Sequence, residues 1–533
     1  MSRYPLSPSR RPNAPTRRPR RGMLLFVVLV VIAILSLSAG TFAKLMLSER
    51  EAVQLSARRT QARALAESGI EMARAFLGCE EQAQIEAGGW YDNSQHFQAV
   101  LVIDDPSPYQ RGRFGLVAPL LEDGQFAGIR FGLEDESARL NLNAVALATA
   151  DDEETGRQIL MGLPGMNEEI ADAILDWIDE DDQVRQFGAE SEYYQALDPP
   201  YRCRNGPITS LDELLLVRGV TPGLLYGVDA NRNMLADATE PDPLTVAADV
   251  DNSDGSLNLG WAAYLTLYSV EKNVRPDGTP KINLNQDDLE ALFDTLTQEF
   301  GEDVATFVVA YRQFGPSQTD APGRPTLPRQ LDLSRPAQQT LSSVLDLIGT
   351  KVEVQLEGEA QPVVLESPIP DTPGAASELV ADLMDNCTTS SAVAIPGRIN
   401  INQAPRVVLG CIPGITPEVV DQIVGLRQPD PVLADPQRRH PTWLWDEGIV
   451  TLEEMKRLAP FVTGAGSVFR AQAIGYFDKG GPAVRIEVVL DATARPVRVV
   501  SWKDISHLGP GYATEILGTE ATESGSATSA EAL

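Results

Sequence analysis

The stretch from Gly22 to Leu77 sets the terms for everything that follows it. Met23–Ala43 carries no charge and is built mainly from Leu, Val, Ile, Ala and Phe. A run of that length, at about 1.5 Å rise per residue, spans roughly 30 Å, the thickness of a bilayer's hydrocarbon core. Lys44–Leu77 follows without a proline and is rich in Ala, Leu, Glu, Arg and Gln, all good helix formers. Leu55, Ala62, Leu65, Ala66, Ile70, Ala73 and Leu77 recur mainly three and four apart and form one apolar stripe. The spacing predicts one helix of about 55 residues, roughly 80 Å long, half in a membrane and half projecting into a soluble domain. A secretory signal peptide fits poorly, because the apolar run is too long and no small-x-small cleavage site precedes a polar start.

Arg17, Arg18, Arg20 and Arg21 stand just before Gly22, and residues 1–22 hold seven arginines and no acid. Such a leader stays on the cytoplasmic side and sends the remainder across the membrane. A basic leader ending at Gly22, an apolar run from Met23 and a helix running straight on resemble the N-terminus of type IV pilin-like proteins. The resemblance implies a prepilin peptidase that cuts after Gly22 and methylates Met23. The family's usual fifth mature residue is Glu, which can pair with a neighbour's terminal ammonium. Here it is Val27, and within the family the K-type minor pseudopilins of type II secretion lack that glutamate.

At 533 residues the chain is long enough for two to four domains. A net charge of −31 repels phosphate backbones and suits solubility outside the cytoplasm or cation binding. Cys79, Cys203, Cys387 and Cys411 include no CxxC pair, which disfavours zinc. Cys387 and Cys411 could be bridged in an oxidising compartment, and the sequence leaves that open. His96, His440 and His507 show no spacing for a metal or a triad. The expectation is a protein that is not an enzyme and has no catalytic residues.

Phe97–Ile103, Gly112–Pro119 and Phe126–Leu133 read as short strands between Gly, Pro and Asp turns. Phe469–Tyr476, Ala483–Leu490 and Val497–Trp502 read as three more and are candidates to complete the same sheet. Between them the texture turns helical. Leu140-Asn-Leu-Asn143 recurs as Ile282–Asn285 and Ile399–Asn402, the mark of a repeated supersecondary unit. Leu163-Pro-Gly-Met166 and Ile412-Pro-Gly-Ile415 are Gly-centred turns that enter helices at Glu168 and Pro417, and Val217–Val220 is a third such turn. Helix, turn and helix in this order form the helix-hairpin-helix pattern, whose best-known use is gripping DNA phosphate. Glu168, Glu169, Asp172, Asp176, Glu418 and Asp421 surround these turns, so a packing module for protein contacts is expected, and no nucleic acid.

The fold class expected is α+β: a pilin-like long N-terminal helix on a small antiparallel sheet, with a large inserted α-helical region of SAM-like or helix-hairpin-helix type. The expected boundaries are a leader at 1–22, a transmembrane helix at 23–43, and helix plus first strands at 44–139. A first helical module at 140–235, an additional insertion with linkers at 236–395 and a second module at 396–463 follow. Strands at 464–512 and a disordered tail at 513–533 close the chain. Asp249–Gly255 looks faintly like a calcium loop, but its glycine is misplaced for an EF-hand, and it reads as a turn-rich loop.

The densest chemistry is Asp176-Trp-Ile-Asp179-Glu-Asp181-Asp182, followed by Glu190 and Glu192 across a Gly turn. Carboxylates this close repel unless protons or a cation compensate, and hard oxygen ligands suit Ca²⁺. Acids at a helix C-terminus are unfavourable by themselves, which favours a bound cation. DWIDEDD, GAESEYY and the run from Asp198 to Gly223 resemble the K-type minor pseudopilins of bacterial type II secretion, with looser likeness over 399–427 and 467–503. That resemblance implies structural calcium, with Asp179, Asp181, Asp182 and Glu190 as the ligand set. It implies a tip-capping, assembly-initiating subunit of a periplasmic pseudopilus, single-pass in the inner membrane with its bulk in the periplasm. Its partners would be other minor pseudopilins through the N-terminal helix, the prepilin peptidase, and secreted substrates or the outer-membrane secretin. The alternatives are a minor pilin of a type IV pilus, a competence-pilus DNA receptor and a membrane-anchored hydrolase with acidic catalytic residues such as Asp179 and Asp182.

Overall fold

The structure, a computed structural model, describes residues 21–148, 152–235, 240, 257–318, 323, 331–355 and 362–519. Most of the leader, the Asp249–Gly255 loop and the end of the tail therefore lie outside the described residues. The chain divides into two compact units, 1–61 and 62–533. Its first helix is Arg21–Leu77. Within the first unit, Leu24, Leu25, Phe26, Ile34, Leu35 and Leu37 are exposed, and the helix is long and apolar enough to cross a membrane.

In the second unit, Ala62, Leu65, Ala66, Ile70 and Ala73 are all buried against an antiparallel sheet. These are the stripe positions, and their small or branched side chains let helix and sheet come close. Two glycines mark the closest approach. A Cβ at Gly475 would fall 1.9 Å from the Ala62 carbonyl oxygen, and one at Gly69 would fall 2.9 Å from the Phe114 ring. A glycine inside a helix costs about 1 kcal/mol relative to alanine, and here that cost is offset by apolar contact.

The sheet runs Val100–Ile103, Gly112–Glu122, Val468–Phe477, Val484–Asp491 and Arg498–Asp504, with Gln125–Phe131 beside the second strand and Glu134–Asp135 beside the third. Gln472 pairs with Val117 and Phe477 with Gly112, so the two central strands come from opposite ends of the soluble chain. Everything between Asp135 and Val468 is inserted into one sheet. The seam is polar: buried Glu136 pairs with Arg470, which also reaches Glu487 at 3.1 Å.

The insertion repeats one unit three times. Each Asn-containing phrase opens with a two-residue strand paired in parallel with a strand that closes the same copy. Leu140–Asn141 pairs with Leu265–Thr266, Ile282–Asn283 with Cys387–Thr388, and Ile399–Asn400 with Val462–Thr463. The second asparagine of each phrase stitches its copy together. Asn143 exchanges hydrogen bonds with the backbone of Ile208, and Asn285 does so with Leu341. Asn402 donates to the carbonyls of Arg438 and Gly464. Within residues 236–395, Leu265–Thr266 pairs back to the first phrase, and 282–388 is closed by the same kind of strand pairing as the other copies. Alternating Asn and aliphatic residues suit this arrangement, because one face enters the core while the amide on the other supplies both a donor and an acceptor.

Ser377–Asn386 leads directly into Cys387, whereas Cys411 caps Arg406–Gly410 and lies against Gly162. Both are buried free thiols, and no bridge joins them. Thr514–Leu517, read as the start of a disordered tail, is a short helix whose Leu517 is buried with Val117, Ile474, Tyr476 and Tyr512.

Candidate metal centre

The site grows from the end of the helix Glu168–Ile178 in the first copy. Asn167 caps its start by accepting from the Ile170 amide, and Glu168 and Glu169 sit favourably in the first turn. Ile170, Ala171, Ile174, Leu175 and Ile178 are buried, and so is Trp177. Trp177 packs edge-on against Tyr194 and donates its Nε1–H to Glu213 at 3.2 Å, which ties the segment beyond the helix back onto it.

Asp176 and Asp179 stand three apart, hence on one face of the helical end. Asp176 is fully buried and Asp179 partly so. The chain then loops out through Glu180–Val184 and returns, and Gly188 passes so close that a Cβ there would fall 1.9 Å from Asp176 Oδ2. That near approach carries Glu190 into the same place. One carboxylate oxygen each of Asp176, Asp179 and Glu190 lies within 4.8 Å of the others.

Arg185 is the counter-charge. Its Nη1 donates to Asp176 Oδ1 at 2.8 Å and to Asp179 Oδ2, and its backbone N–H reaches the Asp176 carboxylate at 3.3 Å. One guanidinium does not satisfy the group. Both oxygens of Glu190 and Oδ1 of Asp179 are buried with no hydrogen-bond partner. Burial, then the Asp176 and Asp179 charges, push the Glu190 carboxyl up to about 8. Burial likewise lifts Asp176 to about 6 against the pull of Arg185, and raises Asp179. Unpartnered carboxylate oxygens facing one another fit a hard cation, which takes six to eight oxygens at flexible angles.

Of the residues expected from sequence, Asp179 and Glu190 are brought together. Asp181 and Asp182 are exposed and lie outside the compact group. The helix ends at Asp179, and the two next acids turn into the loop, where Asp181 Oδ1 accepts from the Gln183 amide at 2.7 Å and Asp182 from the Ser191 amide at 3.4 Å. Asp176 stood outside the expected set, although its i, i+3 spacing from Asp179 was a visible signal that the two share one face.

Residues 138–227, which contain this cluster, match the family described as "Type II secretion system (T2SS), protein K". Type II secretion system protein K of Aeromonas hydrophila is 30% identical over 235 residues, covering 39% of this chain and 62% of that protein. A putative type II secretion system protein K of Escherichia coli K12 is 32% identical over 114 residues, 20% of this chain and 34% of that protein. The chain thus matches less than two thirds of either relative's length. Among solved structures, the GspK-GspI-GspJ complex of the enterotoxigenic Escherichia coli type 2 secretion system aligns over 86% of this chain and 98% of that one at 13% identity. Its TM-score is 0.30, too low to support any inference.

Proposed function

From the match of residues 138–227 to the protein K family of type II secretion, we propose that the chain is a structural minor pseudopilin of such a system. The observation that carries this reading is a protein K region inserted into a helix-on-sheet unit whose own N-terminal helix is long and apolar enough to cross a membrane. The leader ends at Gly22, prepilin peptidase cuts there, and Met23 becomes the methylated N-terminus. The chain sits once in the inner membrane with its bulk in the periplasm. It caps the pseudopilus tip and helps start assembly, meeting other minor pseudopilins along its N-terminal helix and secreted substrates or the secretin at its exposed end. The three helical copies are SAM-like packing modules, too bulky for the middle of a fibre. The protein catalyses nothing.

Ca²⁺ at Asp176, Asp179 and Glu190 belongs to the same proposal. A bound ion would neutralise the mutually facing carboxylates of Asp176, Asp179 and Glu190. The three carboxylates bind it, Arg185 balances the remaining charge, and Trp177 anchors the segment beyond the helix.

Mass spectrometry of the N-terminus from membranes, with and without the prepilin peptidase, tests the reading. A methylated Met23 that appears only with the peptidase is expected. A chain retaining residues 1–22 in both cases would overturn it.

A further inference from the structure

A second polar site lies where the second and third copies meet. A cavity of about 200 Å³ is walled by Lys281, Arg398, Glu271, Asp346 and Lys456, together with the Ser342–Ser343 and Thr388–Ser390 backbones. Ser342 and Pro460 in its wall are exposed, so solvent reaches it. On a chain of net charge −31, three cations here face two carboxylates.

Asp346 is engaged, and Glu271 is ion-paired with one oxygen left without a hydrogen bond. Asp346 accepts from the amides of Ser342 and Ser343 at 2.7 and 3.0 Å, and Glu271 lies 3.6 Å from Arg398. His440 in the same wall is held by Asp385 at 2.8 Å, and Lys456 by Glu453 at 3.2 Å. Lys281 differs. Its ammonium donates one hydrogen bond, to the Met384 carbonyl at 2.6 Å, and among the described residues it has no carboxylate within ion-pair distance. Arg398 Nε also lacks a hydrogen-bond partner. A partly desolvated ammonium with two free protons calls for an anion, since a charge withdrawn from water is costly unless paired.

We propose that this cavity binds a carboxylate between Lys281 and Arg398. A single negative charge matches the one wall cation, Lys281, that has no carboxylate partner among the described residues, whereas Glu271 and Asp346 would repel the second charge of a phosphate. The carboxylate comes either from a small free acid or from the C-terminus of a polypeptide, and the volume suits a group of about one residue.

Calorimetric titration of the full-length chain in detergent tests this, with acetate, tri-alanine, tri-alanine amide and inorganic phosphate as probes. Saturable binding of acetate or tri-alanine is expected, weakened at least tenfold in Lys281→Met and in Arg398→Gln and retained in Lys281→Arg. Tri-alanine binding at least tenfold tighter than both its amide and acetate identifies a chain terminus. Acetate binding as tightly as tri-alanine identifies a free acid. Should Lys281→Met lose its circular dichroism signature, Arg398→Gln decides. No saturable binding of either carboxylate, binding indifferent to both substitutions, or binding of phosphate in preference to acetate would overturn the proposal.

Discussion

The first and third helical copies are built on one plan and end differently. Glu153–Met161, the Leu163–Met166 turn and Glu168–Ile178 correspond in the first to Arg406–Gly410, Ile412–Ile415 and Pro417–Leu426 in the third. Each second helix opens on a side-chain cap, Asn167 or Thr416. Each turn has its glycine at positive φ, 66° at Gly165 and 84° at Gly414, a conformation costly for other residues. Each hairpin is crossed by the same ion pair, Arg157–Asp172 or Arg406–Asp421, at the same separation of 15 residues. Nine residues past the caps the copies part. Asp176 and Asp179 of the first copy stand where the third has Gly425 and Gln428. The third hairpin ends on Arg427, buried, donating to the carbonyl of Ile401 in its own phrase and of Ala404 just beyond it, and burial brings its pKa down to about 10. In the second copy Arg312 serves the carbonyls of Leu284 and Gln286 in the same way. The difference teaches that the hairpin is a neutral scaffold: two copies close it with an internal arginine, and the first closes it with Asp176, Asp179 and Glu190 around Arg185.

The ion pair gives the sharpest break. Arg157 is mostly buried and Asp172 wholly so, and Asp172 also accepts from the Phe187 amide at 3.1 Å. Arg157→Met should therefore leave a buried carboxylate and destabilise the first hairpin by about 3 kcal/mol or more. In the third copy Arg406 and Asp421 are 33% and 68% exposed, and Arg406→Met should cost less than about 1 kcal/mol. Hydrogen exchange of the amides in each hairpin reads both. Equal losses would show that burial does not distinguish the two.

Calcium affinity comes next. Asp176→Asn should weaken calcium binding by about 10- to 100-fold while leaving the hairpin folded, the effect of losing one hard ligand. Gly425→Asp should create no affinity, because the third copy has no counterpart of the returning Glu190. Calorimetry with and without chelator measures this, and unchanged binding in Asp176→Asn would remove that residue from the site.

The pH dependence follows from Glu190. In chelator the folded chain keeps its proton up to about pH 8, whereas an unfolded glutamate releases it near about pH 4.3. The folded state binds the extra proton between those values, so stability is highest below pH 4.3 for this group and falls as pH rises towards 8. A cation held by the same oxygens would compete with that proton, so calcium affinity should rise over the same interval. Thermal unfolding in chelator from pH 5 to 8 checks the sign, and a midpoint that climbs would reverse it.

The smallest effect tests what the copies share. Asn167→Ala and Thr416→Ala should each cost about 1 kcal/mol, by the same loss of an N-cap. Clearly unequal losses, by local hydrogen exchange, would mean that the two helix starts are not equivalent.

Part of this was legible in the residues. The apolar stripe from Ala62 to Ala73, the strands on both sides of the insertion and the three Asn phrases are periodic or repeated signals, and each maps onto one element. Asp179 and Glu190 were legible as members of a dense acidic run. Asp176 was read as part of that run but not placed with Glu190, because their meeting depends on Gly188 passing over Asp176. The second copy was hidden because its turn is the single Gly301, at φ 91°, rather than a Pro-Gly turn, and its closing strand lies far away at Cys387.

By itself the sequence determined what depends on neighbours along the chain: helix, caps, turns, and where charge is dense. Tertiary structure decided which distant segments pair. Gln472 finds Val117, Leu265 finds Leu140, and Glu190 returns to Asp176. The physical reason is that these contacts are selected by closure of a packed core, where a displaced strand or an uncovered carboxylate costs energy that no local pattern records.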